Sequence, residues 1–401
     1  MFLYNLRYQW AITSGEAQGA VLHAVGCTKD EVESRTFPAT QESFVLLDPD
    51  AYLWGLDGST AERAVERLDS YPWTPTGPGR ENPPVLTDAE VKAAISDSAQ
   101  WQLARGCARA ILPTPALSDP AAEIDEFLRW LDTATEVSKE VDRGCLVTLC
   151  VSDVAIRSHL ERLLDQLTAR SDLPGLYVMA DTSGGSGTGA IGPDVARLLL
   201  QCSYLVGHRM EREVVVNFAD SFGLACLAVG ATAFGGGYEQ KARRLDTGSY
   251  APREGGGAFP RFFSLATTAY YRSRMDLERI RDARLLRLIE GDTTDPSEAL
   301  FDALRSGRST DAVPDWREAR NNVSAARRHL IALMNGAVER VNSLPRIGER
   351  CRFALNWLQE AERNVIYLNS RLETTPLDDD GRHVSAWRAE FERFLDESGA
   401  A

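Results

Sequence analysis

From roughly residue 43 to residue 245 the chain alternates between short, almost wholly apolar segments and longer amphipathic ones. Few folds accept that pattern. A strand that is apolar on both faces needs cover on both sides, and parallel sheets with helices packed over them supply it. The segment 43–54, SFVLLDPDAYLW, reads as a strand that stops at Asp48-Pro49. LTDAEVKAAISDSAQWQLARG then reads as an amphipathic helix opened by the capping box Thr87 and Glu90. ARAILPTPAL, CLVTLCVS, GLYVMAD, VVVNFAD and ATAFGGG follow as strands, with helical periodicity between them.

The expected fold class is therefore α/β, a (β/α)8 TIM-type barrel with an all-helical C-terminal addition; a doubly wound sheet is the second choice. From about residue 262 only helical periodicity is read. The Gly- and Pro-rich stretch DTGSYAPREGGGAFPRF marks a loop. The expected boundaries are a barrel over 1–245, a linker over 246–262 and a helical region over 263–401.

With 401 residues and 44% apolar content the chain can bury a large core. No apolar run is long enough to span a membrane and the N-terminus lacks a secretion signal, so a cytoplasmic protein with no membrane partner is expected. The seven cysteines are scattered through apolar runs, as reduced buried thiols would be. The five histidines do not sit at metal spacing, and neither a metal nor another cofactor is expected. A formal charge of −14 argues against indiscriminate nucleic-acid binding over the whole surface. Between Glu239 and Arg287, however, eleven cations face six anions, a local balance of +5.

In a parallel barrel, chemistry sits at the carboxyl ends of the strands. Those ends carry Asp48, Thr114, Ser152 with Asp153, Asp181, Asn217 with Asp220, and Gly235 to Gly237. Several carboxylates at one rim suit an oxocarbenium-like transition state, as in cleavage of a glycosidic bond. Aspartate also caps helices, and that reading is favoured for Asp153, which directly precedes VAIRSHL. The loop DTSGGSGTGAIG, 181–192, lets backbone approach a flat or phosphate-bearing ligand. Trp54 and Trp73 are read as lying near the rim, and Tyr270 and Tyr271 as platforms on which a base could stack.

The order VTLCVSDVAIRSHLERLLDQL, LPGLYVMADTSGGSG and HRMEREVVVNFADSFGLACLAVGATAFGGGYEQKARR resembles the second half of the tRNA-guanine transglycosylase barrel and of its DNA-acting relatives. The resemblance extends over about residues 40–245. It implies that Asp48 stands at the family's acid/base aspartate. Two departures accompany it. The family's nucleophilic aspartate follows a phenylalanine at the end of the last strand, and here Phe234 is followed by Gly235. The family's cysteine-rich zinc motif is also missing.

Together these readings lead to an expected nucleic-acid base glycosylase that hydrolyses rather than exchanges, acting on a modified base, with a role in antiviral defence. Asp48, Asp181 and Asp220 are the expected catalytic residues. Tyr52, Ser183, Gly184, Gly185, Asn217, Phe234, Gly235 and Gly236 are expected to bind the base and sugar. Lys241, Arg243, Arg244, Arg272 and Arg274 are expected to hold phosphates, in DNA rather than RNA. The alternatives are a base-exchanging transglycosylase with Asp181 or Asp220 as a relocated nucleophile, a nucleic-acid-binding barrel without catalysis, and a small-molecule phosphosugar enzyme. The sequence says nothing of oligomeric state.

Overall fold

Eight parallel strands follow one another round a sheet in the order β3-β2-β1-β8-β7-β6-β5-β4. They are β1 Phe2–Leu6, β2 Gly19–His23, β3 Phe44–Asp48, β4 Ala110–Leu112, β5 Cys145–Ser152, β6 Gly175–Asp181, β7 Glu213–Val216 and β8 Ala233–Gly236. That order is the cyclic order of a (β/α)8 barrel, opened between β3 and β4. Even there the amide of Ala108, just ahead of β4, donates to the carbonyl of Val45 in β3 at 2.9 Å. The structure, a computed structural model, describes residues 1–6, 14–59, 61–75, 84–141, 144–183, 190–250, 258–372 and 376–400.

The strands are apolar because both of their faces are covered. β5 is buried along Cys145–Val151, and β6 along Gly175–Ala180. Helices Asp88–Ala104, Pro120–Lys139, Asp153–Thr168 and Pro193–Cys202 lie between successive strands. Thr87 and Glu90 form the expected capping box, with the Thr87 amide donating to the Glu90 carboxylate at 2.8 Å. At helix Asp153–Thr168 the cap is Ser152, whose hydroxyl accepts from the Ala155 amide, and not Asp153, which pairs with Arg157 one turn on. Helix Gly223–Val229 ends at Gly230 with φ of +134°, a conformation that side chains disfavour.

The chain divides into two compact units, Met1–Pro252 and Arg253–Ala401, and the division falls inside the stretch 246–262. The second unit is helical, with long helices Ser324–Asn342, Ile347–Arg371 and His383–Ser398. It also carries an antiparallel hairpin, β9 Arg261–Ser264 and β10 Ala269–Arg272, where the sequence suggested only loop and helix. Tyr270 and Tyr271 belong to β10 and are buried, with Tyr271 donating to Thr267 Oγ1 at 2.8 Å. They are core residues of that unit and not stacking platforms. Trp54 and Trp73 are likewise core: Trp54 packs 5.4 Å from Trp130, and Trp73 stacks on Tyr71 at 4.7 Å.

Candidate active site at the carboxyl end of the barrel

The first two strands, β1 and β2, end in residues that sequence periodicity passed over. β2 closes on His23, and its register sets His23 opposite Asp48 at the end of β3. Both side chains are fully buried, as is that of Asp50 two residues on. The turn Asp48-Pro49-Asp50 is tight, with the Asp50 amide donating to Asp48 Oδ1 at 2.8 Å. Asp50 itself adopts a left-handed φ of +52°. Such a backbone costs a non-glycine residue free energy, and it persists where surrounding contacts hold it. Here the Val25 amide donates to Asp50 Oδ2 at 2.8 Å, and His23 Nδ1 lies 2.9 Å from Asp50 Oδ1.

The two carboxyls meet at Tyr52. Its hydroxyl lies 3.0 Å from Asp48 Oδ2 and 2.7 Å from Asp50 Oδ1, so its one hydrogen serves either acid. From the opposite wall the Tyr177 hydroxyl, midway along β6, donates to Asp48 Oδ2 at 2.8 Å. Behind it the Asn217 amide nitrogen donates to the Tyr177 oxygen, and the Asn5 amide nitrogen donates to Asn217 Oδ1 at 2.8 Å. Residues from β1, β2, β3, β6 and the end of β7 thus close a hydrogen-bonded cluster within the barrel.

Among the described residues no Lys or Arg pairs with Asp48 or Asp50; the basic side chain beside them is His23, 3.6 and 2.9 Å from their carboxylates. Burial, and then the neighbouring Asp50 carboxylate, push Asp48 up to about 7, while His23 and the Tyr177 hydrogen bond pull the other way. One carboxyl of the pair therefore holds a proton near neutral pH, as a general acid requires. Burial and the nearby carboxylates also drive the Tyr52 and Tyr177 hydroxyls well above their usual range, so both stay protonated donors. The ligand-type atoms of His23, Asp48 and Asp50 lie within 4.8 Å of one another, close enough to hold a metal ion. As placed, they satisfy one another as a hydrogen-bonded His–Asp pair with a second acid beside it.

The glycines of β8 have a different task from the one expected. A Cβ on Gly235 would fall 2.0 Å from Asn217 Oδ1, so the space beside Gly235 is taken by Asn217 and is not room for a base. Phe234 points the other way, into the helix layer against Gly223, 5.3 Å from Phe2. Gly236 has ordinary clearance, its nearest neighbour being Phe2 at 3.5 Å.

The other expected acids serve different contacts. Asp181 accepts from the Ser183 amide and hydroxyl at 3.0 and 2.9 Å and from the Thr247 hydroxyl at 2.8 Å, fastening the segment after β8 to the end of β6. Asp220 lies beyond β7, which ends at Val216; it opens a short turn and lies 3.7 Å from Arg243. Gly184 and Gly185 fall outside the described residues.

The expected phosphate ligands are engaged within the chain. Lys241 donates to the Ser249 carbonyl at 2.6 Å, and Arg244 lies 3.7 Å from Asp246. In the second unit Arg272 pairs with Glu318, and Arg274 pairs with Asp311 at 2.9 Å.

Of the expected residues, Asp48, Tyr52 and Asn217 come together. His23, Asp50, Tyr177 and Asn5 were missed. Tyr177 and Asn5 did leave a signal: each is a polar group inside an apolar strand, where it must find a buried partner. No described helix is long and apolar enough to cross a membrane. No protein-family model, curated protein or solved structure matches this chain.

Proposed function

We propose that the chain is a barrel enzyme that hydrolyses an N-glycosidic bond, with Asp48 delivering the proton that the departing base takes up. The observation that carries this reading is the buried acid pair at the barrel's carboxyl end, in which Asp48 is held up to about 7 beside Asp50. A base leaves an anomeric carbon poorly as an anion. A neutral carboxyl that protonates it, next to a charged carboxylate that favours the cationic sugar, lowers that barrier. Positioned acid–base groups of this kind are worth about 10²- to 10⁴-fold in rate.

Hydrolysis is favoured over base exchange because exchange needs a tethered sugar. On the resemblance to the transglycosylases, the nucleophile's place falls at Gly235, where any side chain would collide with Asn217 Oδ1. That the base is carried in a nucleic acid, DNA first, rests on the same resemblance alone. The cations expected to grip phosphate are paired within the chain, so the proposal does not rest on them.

The test is incubation of the protein with DNA carrying normal and modified bases, with RNA and with free nucleosides. Abasic sites are read by alkaline scission and released base by chromatography. Base release by the wild type that disappears in Asp48→Asn is the expected result. No base released from any substrate would sink the proposal.

A further inference from the structure

We propose that His23 is the base that takes the proton from the attacking water, held in position for this by Asp50. The inference rests on the glycosidic reading and extends it by assigning the second half of the acid–base pair.

The argument begins with the hydrogens of the imidazole. Asp50 Oδ2 accepts from the Val25 amide, and Oδ1 is 2.7 Å from the Tyr52 hydroxyl. Asp50 is an acceptor on both oxygens, so His23 Nδ1, at 2.9 Å from Oδ1, carries the hydrogen. In the neutral ring Nε2 then holds the lone pair. That atom is fully buried and meets no hydrogen-bond partner among the described residues.

The other fully buried histidine among the described residues leaves no such vacancy. His329, equally buried in the second unit, has Thr294 Oγ1 at 2.7 Å from Nδ1 and the Phe263 carbonyl at 2.7 Å from Nε2. An unpaired buried acceptor costs free energy, and an active site is a place where that cost is borne because a ligand supplies the missing donor.

The position of the ring fits the role. His23 ends β2, yet its ring lies 5.3 Å from Phe218, which follows β7, with β1 and β8 between those strands in the sheet. The side chain therefore points across the interior of the barrel. Asp50, strained at φ of +52° and fixed by Val25 and Tyr52, holds the imidazole in one tautomer.

The step balances. Water oxygen bonds to the anomeric carbon as the carbon–nitrogen bond breaks. The water proton passes to His23 Nε2, and the Asp48 proton passes to the base nitrogen. As the products leave, Nε2 releases its proton to water and Asp48 takes one up from water, which restores both groups and the starting tautomer of His23.

The experiment measures base release by the wild type, His23→Gln, His23→Ala and Asp50→Asn, with circular dichroism melts to confirm folding. Turnover of the His23 variants is expected to fall about 10²- to 10⁴-fold with KM little changed, and added imidazole should restore part of it in His23→Ala. Asp50→Asn should lose turnover together with the fixed Nδ1 hydrogen of His23. Nitrogen-15 NMR of the wild type should show Nδ1 protonated and Nε2 bare. Full turnover by a folded His23→Gln, or hydrogen found on Nε2, overturns the assignment while leaving the role of Asp48 standing. An inactive wild type overturns both.

Discussion

The Tyr177 hydroxyl donates to Asp48 Oδ2 at 2.8 Å across 129 positions of sequence, joining β6 to β3 through the interior of the barrel. It is one of the contacts that keeps Asp48 from rising further. Tyr177→Phe should therefore shift the Asp48 transition to higher pH and cost about 1 to 3 kcal/mol of stability, because the Asn217 amide and the Asp48 oxygen both lose a partner. A pH–rate profile and a denaturant melt measure the two effects.

Asp48 makes the fold pay for its chemistry. Its folded pKa, about 7, stands above the 3.8 of an exposed carboxyl. The folded chain thus holds a proton that the unfolded chain releases, and stability falls as pH rises from about 4 to about 7. Asp48→Asn should flatten this slope and be more stable than the wild type at pH 8, though inactive. Thermal melts across pH 4–8 check it; a wild type whose stability rises through that window would refute the sign.

Gly235→Ala tests the packing of the relay. The added Cβ would sit 2.0 Å from Asn217 Oδ1, so Asn217 must swing away and release Tyr177 and Asn5. A loss of about 1 to 3 kcal/mol is expected from the overpacking, with reduced turnover in the folded protein. The double variant Gly235→Ala/Asn217→Ala should recover stability without recovering turnover.

Arg272 separates a structural from a phosphate-binding role. Its partner Glu318 also accepts from the amides of Arg274 and Met275 at 3.0 Å, and the guanidinium lies over Phe259 at 4.7 Å. Arg272→Ala should destabilise the protein by about 2 kcal/mol, since Glu318 keeps its charge without its cation. Polynucleotide affinity and its salt slope should be unchanged; a shallower slope would return Arg272 to the phosphate-binding set.

His329 gives the second unit a response to acid. Burial holds it down to about 4, and neutral imidazole satisfies both Thr294 and the Phe263 carbonyl. Because the unfolded histidine takes up its proton near 6.5, stability is lost as pH falls from about 6.5 towards 4. His329→Gln should lose that slope, visible as a flatter unfolding curve between those pH values.

The architecture was legible because it depends on local repetition. Apolar runs such as CLVTLCVS and GLYVMAD carry their double-faced burial in consecutive residues, and the helices between them carry a 3.6-residue period. FLYNL is five residues long and interrupted by Asn5, and GAVLH runs on into AVGC with no visible end, so β1 and β2 emerged only with their neighbours in place. The hairpin of β9 and β10 was hidden for a related reason. Its strands pair only with each other over a short span.

Local pattern along the chain suffices for the parallel barrel, the helical region that follows it, and the place of Asp48 at the end of a strand. Which residues Asp48 meets depends on the assembled sheet. Closing the ring sets His23, Tyr177, Asn217 and Asn5 round one interior and leaves Asp181 and Asp220 to local ties. Strand register and closure are properties of the whole sheet, so residues far apart along the chain converge without any spacing that a local pattern could show.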